Sequence, residues 1–132
     1  MIALDTNVLV RYVVEDDPRQ TTRAAAVVER VIAAGDSLYV SDVVLCELVW
    51  VLTVSYRVPR STIVTTLREL LRAKHLAFDA TDRLGRAVAS FAAGKGDFAD
   101  YVIREHAIAA GCDTVVTFDR ALHRDPGFTA PA

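Results

Sequence analysis

Short apolar segments alternate with helix-like segments along the chain, and this alternation limits the folds open to it. Strands that are joined through helices run parallel, and the helices then cover both faces of the sheet. The sequence therefore predicts an α/β fold around a parallel sheet. The expected strands are residues 2–4, 38–40, 76–78 and 114–118, and the expected helices are 8–14, 19–34, 43–56, 60–74, 81–93 and 97–110.

The length and composition suit one domain, residues 1–132, with a real apolar core, because 52% of the residues are hydrophobic. The longest apolar run, 43–56, is too short to span a bilayer and contains Glu47. The residues before Asp5 lack the basic start of a signal peptide. Cys46 and Cys112 lack metal-ligand spacing and are expected to be buried free thiols. These features predict a cytoplasmic protein without a membrane segment.

Acidic residues stand at positions that the predicted topology brings to one edge of the sheet. Asp5 and Asp119 directly follow strands, Asp97 and Asp100 begin a helix, and Glu47 interrupts an apolar helix. In parallel sheets, sites form beyond the carboxyl ends of the strands. Converging carboxylates repel one another, and a hard divalent cation with oxygen ligands relieves that repulsion. We therefore expect these five acids to share a site.

Each acid also has a simpler explanation. Asp5 is a good helix cap, Asp97 and Asp100 have the i, i+3 spacing of a capping box, and Asp119 could begin a turn. Glu47 is the hardest to explain in this way, because it is expected to be a buried charge without a capping role. The coincidence of all the positions favours a shared site over separate structural roles.

A carboxylate cluster can bind a structural cation, hold a metal for phosphoryl transfer, or act as acid and base without metal. The last needs a large sugar cleft, which suits a chain of this size poorly. In the second, Mg²⁺ or Mn²⁺ activates water and neutralises phosphodiester oxygens. Thr6, Asn7 and Thr117 offer neutral oxygens that could orient the acids. The chain has no GxxxxGK[ST] or GxGxxG motif, so a phosphate loop has no support.

Four segments, taken in order, resemble the PIN domain and within it the VapC-type toxins of type II toxin–antitoxin pairs. They are residues 2–9, 41–48, 97–100 and 115–120. The resemblance implies a three-layer sandwich with a central parallel sheet of about four to five short strands flanked by helices. It also implies a Mg²⁺- or Mn²⁺-dependent endoribonuclease that cleaves single-stranded or looped RNA.

The same resemblance assigns roles to individual residues. Asp5, Glu47 and Asp100 would be the central catalytic and metal-binding acids, and Asp119 the fourth. Asp97 would be a further ligand or a helix cap, and Thr117 a supporting hydroxyl. The implied partners are a VapB-type antitoxin, whose C-terminal segment covers the groove, and a second copy of the chain.

The chain departs from the PIN pattern just after Asp100. Tyr101 stands where a small residue is common, and Arg104 and Glu105 are more polar than expected. These residues would alter the shape of the groove and hence the choice of substrate.

Two alternatives stay open. One is a non-cleaving PIN-like protein that binds RNA or metal, and the other is a small metal-dependent phosphatase. The presence of all four central acids favours the nuclease. A chelator distinguishes the nuclease from the RNA-binding protein, since it stops metal-dependent cleavage of RNA but leaves RNA binding by cationic residues intact. A phosphatase would instead hydrolyse a small phosphomonoester and leave RNA uncut.

Overall fold

Six helices and five short strands make up the fold. A computed structural model describes all residues, 1–132, and shows every helix that the sequence predicts, so the α/β fold class is confirmed. In chain order the elements are β1 Ile2–Ala3, α1 Thr6–Val13, α2 Pro18–Ala33, β2 Leu38–Tyr39, α3 Asp42–Val54, α4 Arg60–Arg72, β3 Leu76–Ala77, α5 Thr81–Ala93, α6 Phe98–Ala109, β4 Val115–Val116, a 3₁₀ turn Arg120–Leu122, and β5 Phe128–Thr129.

The strands are parallel, but they form two sheets. The first has the order β1-β2-β3, and the second pairs β4 with β5, a strand that the sequence did not predict. The central hydrogen-bonded sheet is therefore smaller than expected. β1 is also less buried than expected, because it lies at the edge of its sheet. Ile2 and Ala3 are exposed, and only Leu4 enters the core.

One apolar core joins residues from all six helices. The largest fully buried apolar side chains include Leu9 of α1, Leu45 of α3, Leu67 of α4 and Phe98 of α6. The helix starts follow ordinary capping chemistry. The Asp17 carboxylate accepts hydrogen bonds from the N–H groups of two residues of α2. The Ser41 hydroxyl accepts one at 3.2 Å from the N–H of Val44, the third residue of α3. None of the six helices combines the length and the apolar character that a membrane span requires.

Helix α3 is apolar on nearly every side, as the sequence predicts, and so it leaves apolar side chains in solvent. Val43, Trp50 and Val54 are 67%, 63% and 54% exposed. Two predictions about burial are wrong. Glu47 is exposed, because its position on α3 turns it away from the core, and Cys112 is exposed in the loop after α6.

Candidate active site

Asp97 and Asp100 form the capping box that their spacing predicts. The Asp100 carboxylate accepts a hydrogen bond from the Asp97 N–H at 2.9 Å, and the Asp100 N–H donates to the Asp97 carbonyl at 3.0 Å. This exchange satisfies backbone groups at the start of α6. It also fixes the Asp100 carboxylate against the backbone of Asp97 at the helix start.

Asp100 lies in an environment that opposes its negative charge. Partial burial raises the pKa of its carboxyl group, the hydrogen bond from the Asp97 backbone lowers it, and the charges of Asp97 and Asp119 raise it again. The net pKa is raised. None of the five acids of the predicted site forms a salt bridge. The charges of Asp97 and Asp119 thus act on Asp100, and no protein cation pairs with any of the three carboxylates. We refer to these three residues as the acidic cluster.

Asp119 is held by its own turn. Its carboxylate accepts from the Ala121 N–H at 2.9 Å and so caps the 3₁₀ turn, as the alternative explanation for this residue required. Its N–H donates to the Thr117 hydroxyl at 3.1 Å. Thr117 thus orients the backbone of Asp119. Phe118, between them, is 88% exposed.

Asp5 and its neighbours begin α1. The Asp5 carboxylate accepts from the Thr6 N–H at 2.8 Å and caps the helix. The Thr6 hydroxyl is buried and has no hydrogen-bond partner. Asn7 is exposed and lines a cleft of about 870 Å³ between α1 and α2, which none of the five acids lines. Glu47 lies on α3, which packs against both α1 and α6.

The acids have the donor atoms and the charge that a divalent cation needs, but their side chains do not form a complete coordination site. No three of them are arranged to hold an ion as they stand. The donor atoms are carboxylate oxygens, which hard cations prefer. Burial, and to a smaller extent the charges of Asp97 and Asp119, raise the pKa of Asp100, and a bound cation would offset both effects. Mg²⁺ commonly keeps several waters and needs only one or two protein carboxylates. The residues present therefore fit a cation that is bound partly through water.

The family of the chain follows from its sequence as a whole. The family model of the PIN domain matches residues 2–126. The chain belongs to the PIN-domain family. PIN domains are generally metal-dependent nucleases, so the fold supports nuclease chemistry and the use of a divalent metal. Comparison with curated proteins gave no match.

A pair that the sequence did not predict connects two helices of this PIN domain. Asp42 is buried at the start of α3, and its Oδ2 lies 2.6 Å from Nε2 of His106 on α6. Its other oxygen, Oδ1, is buried without a partner. The pair joins the helices that carry Glu47 and Asp100. No spacing signal could have revealed it, because the two residues are 64 positions apart.

The residues that depart from the PIN pattern are buried and do not line a groove directly. Tyr101, Arg104 and Glu105 are 0%, 7% and 5% exposed. Arg104 lies 3.3 Å from the Glu105 carboxylate and donates to the Ser90 hydroxyl at 2.6 Å. Arg86 supplies a second cation to Glu105 at 2.7 Å. Their polar groups are therefore satisfied inside the protein, as buried charges require.

Proposed function

We propose that this PIN domain is a Mg²⁺- or Mn²⁺-dependent endoribonuclease and the toxin of a type II toxin–antitoxin pair. The observation that carries the proposal is that Asp97 and Asp100 at the start of α6 and Asp119 before the 3₁₀ turn interact electrostatically without a protein cation to neutralise them. A structural role alone would tolerate a lysine or arginine partner for these charges. A site that receives a cation together with an RNA phosphate must keep them free.

In this proposal Asp5, Glu47, Asp100 and Asp119 hold the cation, and Asp97 adds negative charge beside them. The bound cation supplies activation of water and neutralisation of the phosphodiester oxygens. The chain's own residues set up that step. Asp100 must be ionised to bind metal, Thr117 fixes the turn of Asp119, and the capping box keeps α6 in register with the cluster.

The proposed partner is a VapB-type antitoxin that acts in the cytoplasm beside the toxin. An Arg or Lys of the antitoxin would satisfy the free carboxylates in place of metal, and the flanking segment would exclude RNA. A toxin–antitoxin complex that cleaved RNA as fast as the free toxin would contradict this inhibitory role.

Metal-dependent cleavage of RNA tests the proposed function directly. Purified protein should cleave a single-stranded RNA with Mg²⁺ or Mn²⁺ and lose that activity in excess chelator. Asp119→Asn should lose cleavage, whereas Asp113→Asn, an exposed acid in the loop before β4, should retain it. Full activity in chelator would overturn the proposal.

The alternatives give different results in the same assay. RNA binding without cleavage at any metal concentration indicates a non-cleaving PIN domain. Turnover of a small phosphomonoester with intact RNA indicates a phosphatase. Either result contradicts the proposed nuclease.

A further inference from the structure

A buried set of hydrogen bonds connects the loop before Asp97 with the chain after Asp119. The hydroxyl of Tyr101 donates to Oδ2 of Asp125 at 2.5 Å and accepts from the Gly96 N–H at 3.0 Å. Tyr101 is 0% exposed and stands next to Asp100 on α6. One side chain thus contacts both segments that lead to the acids of the proposed site.

The glycine loop packs too closely on these groups to carry side chains. A Cβ at Gly94 would lie 2.1 Å from the Tyr101 hydroxyl, and one at Gly96 would lie 2.4 Å from Cδ2 of Leu122. Arg60 holds the other side of the loop by donating to the Gly94 carbonyl at 3.2 Å. The two glycines therefore allow the loop to lie between α4 and the 3₁₀ turn that Asp119 caps.

Arg104 fixes the segment that follows Asp125. It donates to the Pro126 carbonyl at 3.2 Å, and a Cβ at Gly127, where φ is +90°, would lie 2.7 Å from Cδ of Arg104. This segment leads into β5, whose Thr129 carbonyl accepts from the Thr117 N–H at 2.9 Å. The stretch that carries Thr117 and Asp119 is therefore anchored to α6 through the residues after it.

The hydroxyl of Tyr101 is not needed to fill the core. Phenylalanine would occupy nearly the same volume but would leave the buried Gly96 N–H without its acceptor. What the hydroxyl adds is a link between three separate chain segments: the Gly96 backbone, α6 and Asp125. Hydrogen-bonded partners of metal-binding residues orient those residues and tune their affinity.

We propose that Tyr101 and Asp125 are positioning residues that hold Asp119 at a fixed place relative to Asp97 and Asp100, and so set the affinity of the site for its cation. The inference rests on the proposed metal-dependent function and goes beyond it by assigning a role to residues outside the acidic set. Neither residue is required to touch the metal or the RNA.

Mn²⁺ titration followed by thermal melting tests this role without relying on activity. Tyr101→Phe should keep the fold and raise the Mn²⁺ concentration for half-maximal stabilisation by up to about 10-fold, the low end of the effect of losing a direct hydrogen-bond partner of a metal ligand. RNA cleavage should show the same shift in its Mn²⁺ dependence. The matched control is Tyr12→Phe, whose hydroxyl contacts His75 at 3.3 Å on another part of the protein, and which should leave the Mn²⁺ dependence unchanged.

Substitutions of Asp125 test whether a conservative change keeps the Mn²⁺ dependence that a disruptive change alters. Asp125→Asn keeps an oxygen that can accept from Tyr101 and should retain a Mn²⁺ dependence near that of the wild type. Asp125→Ala should shift the Mn²⁺ dependence in the same direction as Tyr101→Phe but no further, since Tyr101→Phe also loses the hydrogen bond from the Gly96 N–H. The double variant Tyr101→Phe/Asp125→Ala should be no worse than Tyr101→Phe alone, because the bond between the two residues is already lost. If Tyr101→Phe does not fold, the Asn and Ala variants of the partly exposed Asp125 carry the test.

The outcomes separate this inference from the proposed function. If Tyr101→Phe or Asp125→Ala lowers the melting temperature in chelator but leaves the Mn²⁺ dependence at the wild-type value, the residues are structural only and the inference is wrong. If the wild-type protein neither responds to Mn²⁺ nor cleaves RNA, the proposed function fails and the inference fails with it.

Discussion

Asp100 receives a hydrogen bond that favours its ionised form, in surroundings that favour its protonated form. Its carboxylate accepts the Asp97 N–H, which favours ionisation, while burial and the charges of Asp97 and Asp119 favour the protonated form and prevail. A site built only for stability would avoid this conflict. In a site that binds a cation, the unfavourable charge of Asp100 is offset when the cation binds.

The first prediction concerns stability without metal. The pKa of Asp100 is raised in the folded state, so the folded protein binds the proton of this carboxyl group more tightly than the unfolded chain does. The free energy of unfolding therefore falls as the pH rises and Asp100 ionises. The penalty is absent below the ordinary carboxyl pKa of about 4 and complete above the raised value. In chelator, Asp100→Asn should therefore gain melting temperature over the wild type as the pH rises from about 4 to about 7. Asp113→Asn is the control. A wild type that gains melting temperature on the variant over this range would show that the folded protein does not oppose the charge of Asp100.

The second prediction concerns Asp5. Asp5→Asn should reduce RNA cleavage by more than about 100-fold, because a neutral amide replaces a hard charged ligand. The metal-free fold should be equally or more stable, since asparagine can still cap α1 at Thr6. Stabilisation by Mg²⁺ should shrink with the loss of affinity. Melts with chelator and with Mg²⁺ measure both effects. A variant that gains as much from Mg²⁺ as the wild type and still cuts RNA would make Asp5 a cap only.

At the residue scale, the sequence predicted the capping box of Asp97 and Asp100, and the structure brings Asp119 near it. It could not predict that Tyr101 would bond Asp125, 24 positions away, because such pairs depend on tertiary packing and not on spacing. The burial of Glu47 was mispredicted for a related reason. An all-apolar helix gives no periodic signal of which side faces the core.

At the scale of elements, α3 presents an apolar stripe to solvent that the rest of the chain does not cover. Val43, Trp50 and Val54 are spaced by seven and four residues and so share a face. Trp50 and Val54 also line a cleft of about 240 Å³, together with residues of α4, α5 and the start of α6, among them Asp97. The outward residues of α4, such as Thr65 and Arg68, are polar, so α3 supports a contact surface more strongly than α4 does.

The third prediction is a homodimer through this stripe of α3, with α4 beside it. Apolar patches on monomers are usually small, and larger ones mark interfaces. The protein should be dimeric at micromolar concentration by light scattering, and Trp50→Glu should make it monomeric. Ile32→Glu, at a similarly exposed apolar position on α2, is the control and should leave the dimer intact. A wild type that is monomeric at this concentration would contradict the prediction.

The sequence predicted the helices more accurately than the strands. The helix over 81–93 matches α5, and the others end within a few residues of their predicted limits. Strands of two residues leave almost no alternation to detect, which is why β5, in a tail that contains Pro126 and Gly127, was not predicted. The number of sheets could not be predicted either, since it depends on which backbone groups meet.

At the scale of the whole molecule, the acids are distributed over elements that pack against one another. α3 contacts α1 and α6, and the bond between Asp42 and His106 joins α3 to α6. The α/β alternation was sufficient to predict the elements that carry the acids, whereas a shared site for all five stays a prediction. It could not predict that the acids would not form a complete coordination site, since this depends on side-chain positions.

The separation of β4 and β5 from the main sheet also affects how the protein responds to heat. A two-stranded pair is marginally stable by itself, and here few backbone bonds hold it, among them Val115 N–H to the Gly127 carbonyl at 2.8 Å. Such regions open locally at a lower free energy than the whole protein unfolds. The amides of Val115 and Thr117 should therefore exchange with deuterium sooner than those of α3 and α5. Asp119 lies in the segment between β4 and β5, so warming should switch cleavage off reversibly before the core melts.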